Sequence, residues 1–242
     1  MRKANYKKAA GGFKWKHFEA EIILWGVRWY LSYPISYRNL QEMMTERGLT
    51  ISHTTLYRWV QQYAPQLQKK IKLHLKQTNG SWRCDETYVK IKGVWHYLYR
   101  AVDSQGNTLD WILSPKRDRK AAKKFFKKVL SNDHCKTPHS ITTDKNAAYP
   151  LAMTELQKER RLPKHCKHQQ IKYLNNVQEQ DHRFIKRLVK NNQWFQSFQT
   201  AENTLAGYET MHMIRKGQVR FLAKNKPVAQ KHFIEKLFGI AA

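Results

Sequence analysis

Residues 82–114 read WRCDETYVKIKGVWHYLYRAVDSQGNTLDWILS. Three runs in this stretch are rich in β-branched and aromatic residues, and they are separated by Gly93 and by the turn sequence SQGN. Runs of this kind, bounded by turn residues, are typical of neighbouring antiparallel strands. The stretch therefore predicts a three-stranded antiparallel meander.

The segment after the meander predicts helices that alternate with short strands. Residues 118–132 (DRKAAKKFFKKVLSN) form a predicted helix that Asp118 caps, with four inward-facing residues: Ala122, Phe125, Phe126 and Val129. A strand is predicted at 139–143, ending at Asp144, and after another helix a further strand is predicted at 171–174 (IKYL). This element order predicts an α/β domain with a mixed sheet.

The charge of the chain predicts a polyanionic partner. Among 242 residues there are 45 Lys and Arg against 18 Asp and Glu, a formal net charge of +27. Hydrophobic residues make up 41% of the chain, which is enough to bury a core, so the charge does not predict disorder. A folded body this basic is typical of nucleic-acid binding through phosphate contacts. The alternative is a solvated basic surface like that of a ribosomal protein.

The sequence carries neither an apolar run of about 18 residues nor an N-terminal signal-peptide pattern, so we expect a cytoplasmic protein associated with the nucleoid and no membrane. The three cysteines include no C-x-x-C pair, which is typical of a reducing compartment. The HC and HCKH sequences at 134–135 and 165–168 lack the paired ligand spacing of a zinc site.

Residues 17–65 predict three helices. The first, within 17–31, has Ile22, Trp25 and Trp29 near one stripe as its packing face. A short amphipathic helix around Leu40 follows, Gly48 marks the break, and Ser52 caps a last helix at 53–63 that Pro65 follows. Two short helices joined by a glycine-containing turn are the helix-turn-helix pattern.

In a helix-turn-helix the first residues of the second helix reach base edges. Here they are polar and able to form hydrogen bonds: Ser52, His53, Thr54, Thr55, Tyr57 and Arg58. The alternative is an ordinary helical hairpin without a DNA-reading role.

The helix that starts near Asn176 carries a lone carboxylate among cations. At 100° per residue one apolar stripe gathers Val177, Phe184 and Leu188. Glu179 points away from that stripe, while Asp181 lies near it and is the weaker candidate for chemistry. The companions of Glu179 on its face are His182, Arg183, Lys186 and Lys190. One interpretation is a surface ion pair at i, i+4.

The other interpretation is a metal site. Asp85 lies in the first strand of the meander and Asp144 at the end of a later strand. If the sheet places those strands side by side and the helix over their ends, Glu179 joins them in a carboxylate cluster. Carboxylates are ligands of Mg²⁺, and two such ions can promote displacement at a phosphodiester. A carboxylate cluster in a DNA-binding protein is repulsive unless metal neutralises it.

The spacing Asp85, 58 residues, Asp144, 34 residues, Glu179, with Lys186 seven positions later, resembles DDE transposases and retroviral integrases. Longer stretches are similar to bacterial insertion-sequence transposases of the insertion sequence six family, over about residues 13–220. These include RWYLSYPISYRNLQEMMTERG (28–48), the meander, TTDKNAAYP (142–150), KYLNNVQEQDHRFIKR (172–187) and TLAGYETMHMIRKGQ (204–218).

The resemblance implies a helix-turn-helix ahead of a ribonuclease-H-like (retroviral-integrase-like) catalytic domain with a mixed sheet. It implies binding of terminal inverted repeats, metal-dependent 3′-end cleavage and strand transfer into target DNA. Asp85, Asp144 and Glu179 would be the catalytic residues and ligands of two Mg²⁺ ions, for which Mn²⁺ substitutes. The resemblance selects Asp85 as the catalytic acid in place of Glu86. We expect the Glu86 side chain on the other side of the strand. We expect Lys186 and Arg183 to contact DNA, and a homodimer or larger assembly on double-stranded DNA.

These expectations give a layout in five segments: a basic arm at 1–16, a helix-turn-helix domain at 17–65, a basic connector at 66–80, a catalytic domain at 81–192 and a C-terminal helical extension at 193–242. In the extension, a predicted helix packs against the catalytic domain through Ala201, Leu205, Tyr208 and Met211 or His212. The aromatic residues before it predict either core burial or stacking on a flipped base: Trp194, Phe195 and Phe198.

Two other functional classes explain fewer of these features. A helix-turn-helix regulator without catalytic activity accounts for the charge and the N-terminal motif, but not for the three spaced carboxylates. A tyrosine or serine recombinase requires a supporting arginine constellation, which the sequence does not show.

Overall fold

The computed structural model describes residue 13 and residues 17–170, 176–191 and 195–240, with the side chains of 176–180 and 191 outside the description. The chain divides into two compact units. One comprises residues 1–74 together with 203–242, and the other comprises residues 75–202. The first unit is therefore discontinuous in sequence.

The second unit is built on a five-stranded sheet of order β3-β2-β1-β4-β5. Its strands are β1 (Ser81–Ile91), β2 (Val94–Asp103), β3 (Thr108–Ser114), β4 (Ser140–Thr142) and β5 (Lys167–Gln169). The predicted meander is confirmed, because β1, β2 and β3 pair antiparallel, whereas β4 and β5 run parallel to β1. This order and these directions are those of a ribonuclease-H-like sheet, so the fold class is confirmed.

Helices cover both faces of this sheet. Helices α4 (Arg119–Leu130) and α5 (Ala148–Lys158) pack on one face, in a core of large side chains that includes Trp82, Tyr99, Phe125, Phe126 and Tyr149. The predicted cap of α4 is confirmed, since the Asp118 carboxylate accepts from the Ala121 N–H at 2.8 Å. Helix α6 (Asn176–Asn191) lies on the opposite face, where an ion pair between Arg100 and Asp181 joins it to β2 and His182 approaches Asp85 of β1.

The first unit is helical, with α1 (Ala20–Ser32), α2 (Tyr37–Thr45), α3 (His53–Ile71), α8 (Pro227–Leu237) and the part of α7 (Phe198–Lys216) from Asn203 onward. The two helices predicted on either side of Gly48 are confirmed. Gly48 has φ +76°, a left-handed conformation that glycine adopts without strain. The Ser52 hydroxyl accepts from the Thr55 N–H and caps α3, as predicted.

The predicted end of α3 is wrong. The helix continues through Pro65 to Ile71 and takes up the first six of the fifteen residues of the predicted 66–80 connector. A proline inside a helix costs about 3 kcal/mol. Here the buried stripe continues beyond it, with Leu67 and Ile71 both buried, and the packing of this stripe outweighs the lost hydrogen bond.

Two further predictions need correction. Ile22, Trp25 and Trp29 are only half-buried, and the buried face of α1 is rotated to Ile23, Leu24, Val27, Tyr30 and Leu31. The prediction placed α7 on the catalytic domain, whereas from Asn203 onward this helix belongs to the same compact unit as the N-terminal helices, and its Tyr208 ring stacks with Tyr30 of α1. The strand predicted at 171–174 (IKYL) lies outside the described residues, among which the last strand is Lys167–Gln169.

Candidate active site

Two predicted site residues meet where β1 and β4 run side by side. The parallel register pairs Ser81 with Ser140 and Arg83 with Thr142, so Asp85 and Asp144 lie two residues beyond the last pair at the same level. The condition that these two strands lie side by side is therefore met. Parallel strands present their carboxyl ends at one edge, which gathers side chains from both.

Glu86 joins them from the other face of β1. Single oxygens of Asp85, Glu86 and Asp144 lie within 4.8 Å of one another, the one group of three candidate metal ligands among the described residues. As expected, Glu86 points to the opposite side of the strand from Asp85, toward α5, where its carboxylate accepts from the Tyr149 hydroxyl. Its other oxygen still reaches the acidic group. The sequence did not predict this.

Arg117, in the turn between β3 and α4, bridges two of the three acids. Its Nε donates to Glu86 Oε1, and one terminal nitrogen donates to Asp144 Oδ2 at 2.9 Å. Asn146 adds its backbone N–H to Asp144 at 3.0 Å. The guanidinium therefore supplies positive charge where three carboxylates converge.

The surroundings of Asp85 shift its pKa upward. Burial and the negative charges of Glu86 and Asp144 raise the pKa of Asp85 to about 7, against the opposing effects of the Glu86 N–H and Arg117. A carboxyl holds its proton to neutral pH when burial and acidic neighbours outweigh the nearby positive charge. Such shifts cluster at functional sites.

Helix α6 lies over Asp85 on the sheet face opposite α4 and α5. His182 Nδ1 lies 4.0 Å from Asp85 Oδ2. Burial and the nearby Arg100 charge lower the pKa of His182 to about 3, so its imidazole is neutral. The buried Arg100 guanidinium donates to Asp181 at 2.6 Å, which pairs α6 with β2. The structure thus gives Asp181 an ion-pair partner in the sheet.

The other predicted residues of α6 are at its surface. Lys186 and Arg183 are exposed, as DNA contacts must be. The Glu179 side chain lies outside the description, although its backbone is within α6. Its proposed role with Asp85 and Asp144 therefore rests on the sequence pattern.

The predicted DNA-reading residues form the start of α3. His53, Thr54, Tyr57 and Arg58 are exposed, whereas Thr55 is half-buried. The Ser52 hydroxyl is within 3.0 Å of the Thr54 hydroxyl and 2.9 Å of the Thr55 hydroxyl, besides its capping contact. The His53 N–H donates to Gln41 Oε1 at 3.0 Å, which ties α3 to α2. Ser52 is thus engaged in the turn, and His53, Thr54 and Arg58 are better placed for a ligand.

Comparison with known proteins defines the family. Residues 79–218 match the model of the DDE domain of IS240-type transposases. The chain is 42% identical over 210 residues to the transposase for insertion sequence-like element IS431mec of Staphylococcus aureus, an alignment that covers 87% of this chain and 91% of the relative. The same figures hold for the transposase for insertion sequence element IS257 in transposon Tn4003 of Staphylococcus aureus.

The chain belongs to the insertion sequence six family of DDE transposases. It is accordingly a DNA transposase, an enzyme of the DDE class. Its fold is similar to that of the HTLV-2 integrase catalytic core domain in complex with magnesium, in its dimeric form, with a TM-score of 0.44 and 17% identity over 61% of this chain and 94% of that chain. Among the described residues, no helix has the length and apolar character to cross a bilayer.

The acidic group of the transposase fits a divalent cation by its donor chemistry. Carboxylate oxygens are the ligands that Mg²⁺ prefers. A dication among these acids would relieve the repulsion that raises the pKa of Asp85. Arg117 is a functional candidate that sequence reasoning missed, and Glu86 is one that it considered and set aside in favour of Asp85. Arg117 carries no local signal, because its partners are 31 and 27 residues away in the chain.

Proposed function

We propose that this transposase binds the terminal inverted repeats of its insertion sequence and carries out metal-dependent 3′-end cleavage and strand transfer into target DNA. The observation that carries the proposal is the convergence of Asp85 and Asp144 on the parallel strand pair, with α6 facing Asp85. In a chain of net charge +27, carboxylates held together against their own repulsion indicate a site for a cation.

Asp85, Asp144 and Glu179 are proposed to hold two Mg²⁺ ions, with Mn²⁺ able to replace them. When bound, the ions supply activation of the attacking oxygen and stabilisation of the leaving oxygen in a phosphodiester displacement. The chain's own groups arrange this site. Arg117 keeps Glu86 and Asp144 together, and the neutral His182 adds no positive charge beside Asp85 that would compete with a cation.

The cations of α6 are proposed to position the DNA backbone. Lys186 and Arg183 are exposed on the helix that carries Glu179, one to two turns from it. Their role is to hold the scissile phosphate near the carboxylates. Lys186→Ala should then weaken binding at the cleavage site. It should also make the dependence of log K on log salt concentration shallower by about the amount that corresponds to one phosphate contact.

Sequence recognition is proposed for the start of α3. The exposed His53, Thr54 and Arg58 would contact base edges, with Tyr57 beside them and with Ser52 and Thr55 setting the helix start. The partner is double-stranded DNA, both the element ends and the target. We propose a homodimer or larger assembly on it, because two element ends are joined to one target.

The test uses labelled element-end DNA with the full-length protein and Mg²⁺. Asp144→Asn should abolish cleavage and joining while specific binding persists. Asp133→Asn, the same change at an exposed turn residue, is the matched control and should act like wild type. Wild-type cleavage by Asp144→Asn would refute the carboxylate role, and binding without cleavage by the wild type would favour a regulator.

A further inference from the structure

A groove beside the acidic group combines lysines with exposed aromatic rings. It has a volume of about 640 Å³ and lies between the far half of the β1–β2 hairpin and the C-terminal half of α6. Its floor and walls include Tyr88, Trp95, Lys90, Lys92, Lys186 and Lys190. This volume is within the range of small-ligand sites, about 300–1,000 Å³.

The aromatic rings are exposed where burial would be expected. Tyr88 is 51% exposed and Trp95 is 56% exposed, although both lie on the sheet face that α4 and α5 cover further along. The two rings meet edge to face at 6.1 Å, and Lys90 Nζ lies 5.5 Å from the centre of the Trp95 ring. Exposed rings with interleaved cations form a stacking platform for nucleic-acid bases.

The groove begins on β1 two residues beyond the acidic group. Tyr88 follows Glu86 by two residues on the same face of β1, and its cross-strand partner is Tyr97. At about 3.3 Å per residue, Tyr88 is roughly 7 Å from Glu86 along the strand. β4 pairs with β1 only as far as Arg83, so among the described residues the β1 edge stays open beside the groove until Ile91 bridges Phe195.

Lys92 lines the groove although its backbone is in the left-handed conformation. Lys92 and Gly93 form the two-residue hairpin turn, with φ +47° and +81°. This turn favours Asn-Gly or Gly-Gly, and a lysine in the left-handed region is uncommon. A strained residue at a turn tip that also lines a groove indicates a role for its charge.

We propose that this groove binds a short unpaired segment of DNA strand next to the cleavage site. Tyr88 and Trp95 stack on its bases, and the lysines neutralise its phosphates. The inference rests on the proposed action on DNA ends. The ordinary alternative is that the lysines only protect an open sheet edge from pairing with another chain.

The test measures binding of a labelled ten-nucleotide oligo(dT) to the full-length protein. Trp95→Ala should weaken binding roughly 5- to 150-fold, because each stacked base contributes on that scale. Trp95→Tyr, which keeps a stacking ring, should restore most of the affinity. Phe221→Ala is the matched aromatic control, since Phe221 is fully exposed in the other unit and should not affect binding.

A second variant separates this role from a structural one. Lys92→Asn should raise the melting temperature, because asparagine suits this turn. It should also reduce the slope of log K against log salt concentration for oligo(dT) binding by about 0.7, because one phosphate contact is lost. Unchanged binding by both Trp95→Ala and Lys92→Asn would overturn the inference. If the wild type still cleaves element ends when that result is obtained, the proposed function stands and only the groove inference fails. Asp144→Asn, which should lose cleavage, should bind oligo(dT) no worse than wild type.

Discussion

At the residue scale, the acidic group depends on one arginine. Arg117 contacts both Glu86, whose side chain is almost fully buried, and Asp144. Removing one partner of a buried ion pair leaves a charge without compensation, which typically costs 3–5 kcal/mol. Arg117 is 35% exposed, so solvent screening lowers this figure.

Arg117→Gln is therefore expected to lower the free energy of unfolding by about 1–3 kcal/mol in the absence of metal. Mg²⁺ should recover more stability in this variant than in wild type, because the cation replaces the lost positive charge. Urea denaturation with and without Mg²⁺ measures both effects. Arg119→Gln, which removes a surface pair with Glu155, is the control; an equal effect of the two changes would contradict the role of Arg117.

The raised pKa of Asp85 predicts a pH dependence of stability in metal-free protein. The group titrates near 7 in the folded chain against an ordinary value of 3.8. The stability that the protonated Asp85 carboxyl gives the folded chain is fully present below pH 4. It is lost as the pH rises through 7, because the unfolded chain releases the proton first. Between pH 5 and pH 8 the free energy of unfolding of Asp85→Asn should therefore rise by about 2–4 kcal/mol relative to that of wild type. A pH-independent difference would contradict the shift.

Single residues were predictable from sequence only where their role is local or patterned. Asp118 as a helix cap follows from a short-range signal, whereas the pairing of Asp85 with Asp144 was a condition on the sheet order that the family resemblance supported. Arg117 and the buried contact of Glu86 depend on how β3, α4 and α5 meet, which no local pattern encodes.

At the element scale, the position of α6 is set by a buried ion pair. Arg100 on β2 and Asp181 on α6 lie 2.6 Å apart, with the Arg100 side chain fully buried. Because Glu179 is only two residues before Asp181, this pair fixes the helix that carries the proposed third carboxylate.

Asp181→Asn is expected to destabilise the protein by about 2–4 kcal/mol, since it removes the countercharge that Asp181 gives to a buried guanidinium. Cleavage should fall as well, although Asp181 is not proposed as a metal ligand. Chemical denaturation and single-turnover cleavage measure the two effects. Asp133→Asn controls for the charge change, and a stability equal to that control would show that the pair does not hold α6.

Element boundaries show where sequence patterns succeed and fail. The meander was predictable because its strands alternate between clear turns. The helix end at Pro65 was not, because burial of Leu67 and Ile71 outweighs a local helix breaker. The buried face of α1 was misplaced because large tryptophans suggested a core, whereas Trp25 and Trp29 are half-buried and contact each other edge to face at 4.6 Å.

At the scale of the whole molecule, the first unit is completed by distant sequence. Gly207 on α7 packs so closely that an added Cβ would lie 2.5 Å from Leu31 and 2.8 Å from Ala64. A fragment ending near Lys76 would lack this partner helix. We therefore expect that such a fragment needs residues 203–242 to bind element ends specifically.

Gly207→Ala is expected to lower the free energy of unfolding by about 1–3 kcal/mol, although alanine favours a helix by about 1 kcal/mol over glycine. Overpacking against Leu31 and Ala64 outweighs that gain. Thermal denaturation measures the change. A variant as stable as wild type would show that α7 does not pack this closely on α1 and α3.

Metal-specific rescue shows whether Asp85, Asp144 and Glu179 hold the metal used for strand cleavage. Each residue is replaced in turn by Cys and by Ala, and cleavage of labelled element ends is measured in Mg²⁺ and in Mn²⁺. Sulfur is a poor ligand for hard Mg²⁺ and a better one for Mn²⁺. We expect the Cys variants to be inactive in Mg²⁺ and partly active in Mn²⁺, while the Ala variants stay inactive in both. Equal activity of the Cys and Ala variants in Mn²⁺, or wild-type activity of any variant in Mg²⁺, would show that these residues do not hold the metal.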